Sequence, residues 1–246
     1  MLNQLSAHGV DVCWGIHVYA GLESGKICVS AGPRMAGAAG VGIKVIGRGG
    51  HGSRPDMSVN PVFCAASILT NTATAWVNQI TAGRTVTLGV TSIQGGEAPN
   101  VIPDTADILG SLRFFNDEEG EKAVRIFKNV AEHTAAMNNC QVQFDDRFCV
   151  LCAPVINDEY YSNLISAALP EVLLENVTVS SCEPWYASES FSCYRRICPS
   201  VLAHLGINNP SYGSGAAHHN GFFDVDEGVL STGVIATLKF VAMLQK

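Results

Sequence analysis

Val41-Gly42-Ile43-Lys44-Val45-Ile46, then Asn60-Pro61-Val62-Phe63, then Val86-Thr87-Leu88-Gly89-Val90: these stretches decide the fold. In the first, Val41, Ile43 and Val45 alternate with Gly42, Lys44 and Ile46, the period of a strand. Asn60-Pro61 opens a helical stretch to about Gln79, with proline in a tolerated first-turn position, and Gly83 ends it. Val86, Leu88 and Val90 alternate again, and Ile108, Gly110, Leu112 and Phe114 do so a third time. Asn116 is placed to cap a second helix, whose first turn holds Asp117, Glu118 and Glu119 and which runs to about Asn138. Val142 and Phe144 mark a last strand. The order β-α-β-β-α-β over roughly 38–147 predicts a ferredoxin-like two-layer unit.

Working outward, residues 1–34 hold one short apolar strand over 10–18 and a Gly-rich exit. Residues 150–246 hold a helix near 159–169, strands near 177–180 and 201–205, and a last helix over about 228–244. The two flanks read as one α/β catalytic-type domain, 1–37 with 148–246, into which the unit 38–147 is inserted. The polar face of the helix within 57–83 is Asn, Thr, Ser and Gln rather than Lys and Glu. It reads as an uncharged solvent face or as an interface, and the charge depletion favours the interface.

At 246 residues, 47% hydrophobic and 15% charged, the chain has the composition of a globular protein able to bury a sizeable core. Lys plus Arg is 15 against 22 for Asp plus Glu, a net charge of −7, and no basic cluster interrupts it. That balance excludes a phosphate-reading nucleic-acid binder. The first thirty residues show no basic segment followed by an apolar run. The longest uncharged stretch, 57–83, contains Asn60, Pro61, Asn71, Asn78 and Gln79, too polar for a bilayer. Nine cysteines at irregular spacing do not make a secreted disulfide framework, so a reduced cytoplasmic protein is expected.

Several residues are candidates for chemistry. His17, in Gly15-Ile16-His17-Val18-Tyr19, ends an apolar strand and reads either as a metal ligand or as a structural histidine. His218-His219 precede Asn220-Gly221-Phe222-Phe223 and a helix, as a ligand pair or an exposed polar loop. His51 lies among glycines in Gly47-Arg48-Gly49-Gly50-His51-Gly52-Ser53-Arg54-Pro55, which let a backbone or ligand approach closely. This run lacks the Lys-Ser/Thr ending of a phosphate loop. A second Gly/Pro loop, Gly95-Gly96-Glu97-Ala98-Pro99-Asn100-Val101-Ile102-Pro103, precedes a strand bearing Arg113, which is either a carboxylate clamp or a solvent-facing residue. Cys149 and Cys152 form a lone CxxC without the second pair that a structural zinc wants.

Together and in this order, these segments resemble the M20 metallopeptidases, and within them the amidohydrolase subfamily of N-acyl-amino-acid, hippurate and auxin-conjugate hydrolases. Gly15 to Leu22 is similar to that family's GLHVWPGL, Gly47 to Pro55 to its GKGGHGARPH, and Gly96 to Asp104 to its GG-x-A-x-NVIPD. Ser188-Glu189-Ser190-Phe191 resembles its SEDF, and His219-Asn220-Gly221-Phe222-Phe223 its HxPxF. The resemblance implies a zinc-peptidase-like catalytic domain interrupted by a lid that also forms a homodimer. It implies two divalent metals, zinc or manganese, a glutamate base, and a small N-acyl amino acid or peptide as substrate. By position His17 and His219 match metal ligands. His51 matches the lid histidine that polarises the substrate carbonyl, typically across the dimer. Asn100 and Arg113 match residues that hold the substrate carboxylate, and Glu189 matches an acidic position near the site.

Ala20 and Gly221 stand where the family has prolines, and Ser190 where it has the Asp of SEDF. The family's HACGHD-type and PAEE-type motifs, which carry further ligands and the base, lie upstream of the segment matched by Gly15 to Leu22, and the chain begins after them. It is therefore expected to be a C-terminal portion that does not hydrolyse amides alone. Two other classes stay open: a non-catalytic dimerisation module, and a small zinc or redox protein built on Cys149 and Cys152.

Overall fold

The computed structural model describes residues 2–145, 148, 150–174 and 176–245. Cys149 lies outside them, and with it the Cys149/Cys152 pair. The chain divides into two compact units: 1–35 with 155–185 and 190–246, and 36–154 with 186–189.

The second unit carries the β-α-β-β-α-β order that the alternation predicts. Strand Gly37–Ile46 is central; it pairs antiparallel with Thr105–Phe114 on one side and with Gln141–Phe144 on the other. Val86–Gln94 adds to the far side of Thr105–Phe114, and the short strand Val150–Cys152 pairs with the start of Gly37–Ile46. Ala39, Val41, Ile43 and Val45 share one face, as period two requires, and meet Ile108, Leu112 and Phe114 from the neighbouring strand. Helices Pro61–Gln79 and Asp117–Met137 cover that face with Cys64, Ala65, Ile68, Ala123 and Phe127.

Both helices start as capping rules demand. Asn60 accepts from the Val62 N–H with Pro61 behind it, and Asn116 accepts from the Glu119 N–H. The uncharged face of Pro61–Gln79 bonds largely to itself: Thr70, Thr72, Thr74 and Asn78 each donate to a carbonyl one turn back. Asn71 bridges to Thr134 of the second helix at 3.0 Å. Phe63 and Val77 of the same helix are 73% and 85% exposed.

The first unit holds a four-stranded sheet in the order Cys13–Glu23, Ser200–Asn208, Ile27–Cys28, Thr178–Val179. Cys13–Glu23 and Ser200–Asn208 run parallel. Ser200–Asn208 is buried along nearly its whole length, the pattern of a parallel strand covered on both faces. Helices Glu159–Ala168 and Leu230–Leu244 supply Ile165, Ala236 and Phe240 to its core, and Asp158 caps the first of them through the Tyr161 N–H. The segment Glu227–Leu244 is long and apolar enough to cross a membrane by length and composition alone. In this fold Val229, Gly233, Ala236 and Phe240 are its buried residues, while Val234 and Leu238 are exposed.

Three local differences from the sequence reading have physical causes. The first strand is Cys13–Glu23, not 10–18, because pairing with Ser200–Asn208 carries it on past Val18 to Glu23. The last helix starts at Leu230, since Asp226 first caps a single 3-10 turn, Glu227–Val229. Gly32–Met35 and Val155–Asn157 form a two-stranded pair that neither stretch announces alone.

Glu119 ties the second unit's helices together. Its carboxylate accepts from Thr81 Oγ1 at 2.5 Å, from the Thr81 N–H at 3.1 Å and from Lys122 Nζ at 3.2 Å. The Thr81 hydroxyl, the backbone bond and Lys122 lower its pKa below the ordinary 4.5. A lowered carboxylate pKa adds stability that is present above the unfolded value and is lost as pH falls through the folded one. Glu119→Gln is expected to cost about 1 kcal/mol above pH 5. The gap to wild type should close as pH falls below 4.5, read from melting temperatures across the range.

Candidate functional site

In the first unit, cross-strand register gathers imidazoles. His17 and His204 are Cα partners between the parallel strands Cys13–Glu23 and Ser200–Asn208. His17 Nδ1 donates to the Val18 carbonyl at 2.7 Å, which places its proton on Nδ1 and its lone pair on Nε2. The His218 ring stands 5.5 Å from that of His17, 4.3 Å from Trp185 and 4.9 Å from Phe223. Its Nε2 accepts from the Ala20 N–H at 3.4 Å. Burial and the neighbouring His17 and His219 lower the His218 pKa.

His219 is exposed and holds φ at +65°, a left-handed backbone that a non-glycine residue adopts at a cost. The structure thus brings His218 beside His17 and leaves His219 at the surface. His204 is the member that the sequence reading did not single out. It is fully buried, lies 5.0 Å from the Tyr19 ring, and has no hydrogen-bond partner at Nε2. Burial first, then Arg34, His17 and His218, push its pKa down to about 4, so it is neutral. The available signal was one polar residue inside the apolar run Val201-Leu202-Ala203-His204-Leu205.

Asp226 has a structural role. It accepts from Ser24 Oγ at 2.7 Å and Asn209 Nδ2 at 2.8 Å, and the Asn209 bond is the main cause of its lowered pKa.

In the second unit, two loops knit around His51. Gly50–His51 pairs with Val101–Ile102, and the Gly52 N–H donates to the Asn100 carbonyl at 2.8 Å. Gly49 N–H is held by Asp104 Oδ1 at 2.8 Å. His51 and Asn100, predicted apart in the chain, are therefore neighbours. The Ser53 N–H donates to His51 Nδ1 at 3.1 Å, and the Ser53 hydroxyl lies 2.7 Å from the same atom. With Nδ1 accepting, the imidazole proton sits on Nε2, the form that donates to a carbonyl oxygen.

Arg113 lies elsewhere in this unit. It sits near the far end of Thr105–Phe114, the strand that begins one residue after Asp104, and donates to the Leu112 carbonyl at 3.3 Å. Eight residue steps of strand separate it from the loops, roughly 27 Å at about 3.4 Å per residue. The backbone carbonyl of Glu189 accepts from the Cys152 thiol at 3.2 Å.

As metal donors, His17 fits: its Nδ1 is anchored to a carbonyl, the usual way a ligand imidazole is oriented. Among the described residues, no group of three or more His, Cys, Asp or Glu is arranged to hold a metal ion.

Residues 35–138 match the family of peptidase dimerisation domains. The chain is 29% identical to a thermostable carboxypeptidase of Saccharolobus solfataricus, over 93% of this chain and 57% of that one. It is 29% identical to the N-acetylcysteine deacetylase of Bacillus subtilis, over 91% of this chain and 56% of that one. Among solved structures, a dinuclear metal-binding peptidase of the M20 family from Bacillus subtilis superposes with a TM-score of 0.77 at 25% identity, covering 99% of this chain and 60% of that one. The chain thus spans a little over half the length of these relatives.

The loop geometry around His51 makes one stability prediction. A Cβ at Gly47 would collide with the Val59 carbonyl, whereas one at Gly89 meets only the Ser111 carbonyl, at 3.9 Å. Gly47→Ala is expected to cost about 1–3 kcal/mol. Gly89→Ala should leave the melting temperature unchanged or raise it. Equal effects would contradict the loop packing.

Proposed function

Because the chain belongs to the M20 peptidase family, we propose that it carries part of a metal-dependent amidohydrolase acting on N-acyl amino acids or small peptides. The observation that carries this reading is the pairing of His51 and Asn100 on a dimerisation domain, with His51 Nε2–H set as a donor by the Ser53 bonds. In this reading that N–H donates to the acyl carbonyl oxygen and stabilises charge growing there. Asn100 and Arg113 hold the substrate carboxylate, Arg113 in the bidentate manner of a guanidinium. One small substrate cannot touch both the His51 loop and an arginine roughly 27 Å away along a strand. The reading therefore takes His51 and Asn100 from one copy and Arg113 from a second copy in a homodimer.

His17 and His219 are the cation ligands of this proposal. His218, whose Nε2 is engaged by the Ala20 N–H and whose ring lies against Trp185 and Phe223, is a packing residue. A divalent cation of the zinc or manganese class would supply Lewis acidity at that place. Glu189 is the acidic residue this reading assigns near the reacting amide. With two imidazoles offered where a two-metal site needs several more donors, the chain alone is expected to bind metal without turnover.

The test is metal content after dialysis against zinc or manganese, with hydrolysis of a panel of N-acyl amino acids and the molecular mass measured on the same sample. Expected are a dimer, a retained cation, and no turnover. His17→Ala and His219→Ala should each lower metal retention at least tenfold, and His218→Ala less than twofold. A dimer that retains no metal would instead support a non-catalytic dimerisation module. Metal-dependent turnover would overturn the claim of incompleteness, and Glu189→Gln would then show whether that residue is the base.

A further inference from the structure

Cys13 opens the strand Cys13–Glu23, and Cys198 lies just before its parallel partner Ser200–Asn208. The two cysteines are 185 positions apart in the chain, yet the Cys198 thiol donates to Cys13 Sγ at 3.4 Å. Both are free thiols.

Backbone bonds hold each side of this contact. The Cys13 N–H donates to the Pro199 carbonyl at 2.9 Å, and Cys13 and Ser200 are Cα partners at the start of the strand register. The Cys198 N–H donates to the Tyr194 carbonyl at 3.2 Å, which ties it to the end of the 3-10 segment Ser190–Arg196. The sulfurs therefore meet because the strands pair, not because two loose side chains drift together. A disulfide holds its sulfurs about 2.0 Å apart, so closure asks the two side chains to approach by about 1.4 Å. Cys13 is half-buried and Cys198 only 8% exposed, so a reagent from solvent meets Cys13 first.

We propose that Cys13 and Cys198 are a disulfide-forming site: Cys13 takes up a small-molecule disulfide by thiol exchange, and Cys198 resolves it, closing a covalent latch across the two parallel strands. The latch concerns the strand pairing and holds whether or not the chain binds metal.

The chemistry balances without a further oxidant. The Cys13 thiol gives its proton to solvent, and its sulfur attacks one sulfur of the small disulfide. That S–S bond breaks, and one thiol leaves after taking up a proton. The Cys198 sulfur then attacks the Cys13 sulfur of the mixed disulfide. The second small thiol departs with the Cys198 proton. Two electrons pass from the two protein sulfurs to the small disulfide, which ends as two thiols. Burial first, and then the Cys198 contact, push the Cys13 thiol up to about 11, so it is protonated at neutral pH and reacts slowly there. A thiol of high pKa is also a poor leaving group, so the closed latch is slow to reopen. These are the properties of a lock set under sustained oxidation.

In its sheet, Cys13–Glu23 lies at the edge, with Ser200–Asn208 as its neighbour. His17 stands four residues along this strand, opposite His204. A covalent bond at the first pair of the register anchors the edge strand, and with it the His17–His204 pairing. It also joins two points far apart in the chain, which restricts the unfolded state strongly.

The test treats the purified, fully reduced chain with oxidised glutathione, maps disulfides by mass spectrometry of unreduced peptides over time, and records the melting temperature. A Cys13–Cys198 cross-link, reversed by dithiothreitol, should be the first protein disulfide and exceed any other at least tenfold. Cys198→Ser should instead accumulate a glutathione mixed disulfide at Cys13. Any mixed disulfide at Cys193, which is also half-buried, should persist unresolved in the wild type. The cross-linked chain should melt roughly 5 °C or more above the reduced one, a rise that treated Cys198→Ser lacks. A different first cross-link, a mixed disulfide at Cys13 that the wild type leaves unresolved, no reaction at Cys13, or a cross-link that does not raise the melting temperature would overturn the proposal.

Discussion

The first unit depends on one pairing: strand Cys13–Glu23 laid parallel beside Ser200–Asn208, in register from Cys13↔Ser200 to Tyr19↔Gly206. The two strands come from opposite ends of the chain, with the whole second unit between them in sequence. A long closure of this kind is entropically tolerable, because the cost grows only with the logarithm of loop length. It is eased further where the inserted unit leaves and returns. Met35 and Val155 are Cα partners in the short antiparallel pair Gly32–Met35 with Val155–Asn157. That clamp makes a folded insertion equivalent, for the first unit, to a tight connection.

The same pairing brings polar groups inside. Asn157 is buried yet fully employed, accepting from the Leu202 N–H at 2.7 Å and donating to the Leu202 and Ser30 carbonyls. His204 and Arg34 are buried with one nitrogen each left unpaired. Buried polar groups in such a state are seldom retained for stability, since well-packed apolar residues would serve better. Arg34 and His204 both lie against Cys182, and His204 also stands beside the Tyr19 ring.

The second unit holds its candidate site on loops carried by a sheet. Glycines at 47, 49 and 52 let the His51 loop lie against Val59, Ile102 and Asn100 with almost no side-chain volume between them. The loop itself is short, and its conformation is set by backbone bonds to the neighbouring chain segment, not by its own side chains. Arg113, by contrast, is fixed by the sheet register, opposite Ala38 and Thr87. A loop and a strand end are thereby held at a separation that the sheet fixes, roughly eight residue steps of strand.

The sequence by itself determined the local structure: the alternation of the strands, the two capped helices of the second unit, their order, and the glycine-flanked histidine. It also carried the family, because ordered motifs spread along the whole chain leave little room for coincidence. These properties depend on residues a few positions apart, where period and propensity act directly. Which imidazole stands beside His17, that His204 is buried next to it, that Arg34 lies against Cys182, and how far Arg113 lies from Asn100 were decided only by tertiary structure. Each of these is a contact or a distance between segments remote in sequence. A one-residue change of strand register would alter every one of them, while leaving the local pattern of the sequence untouched.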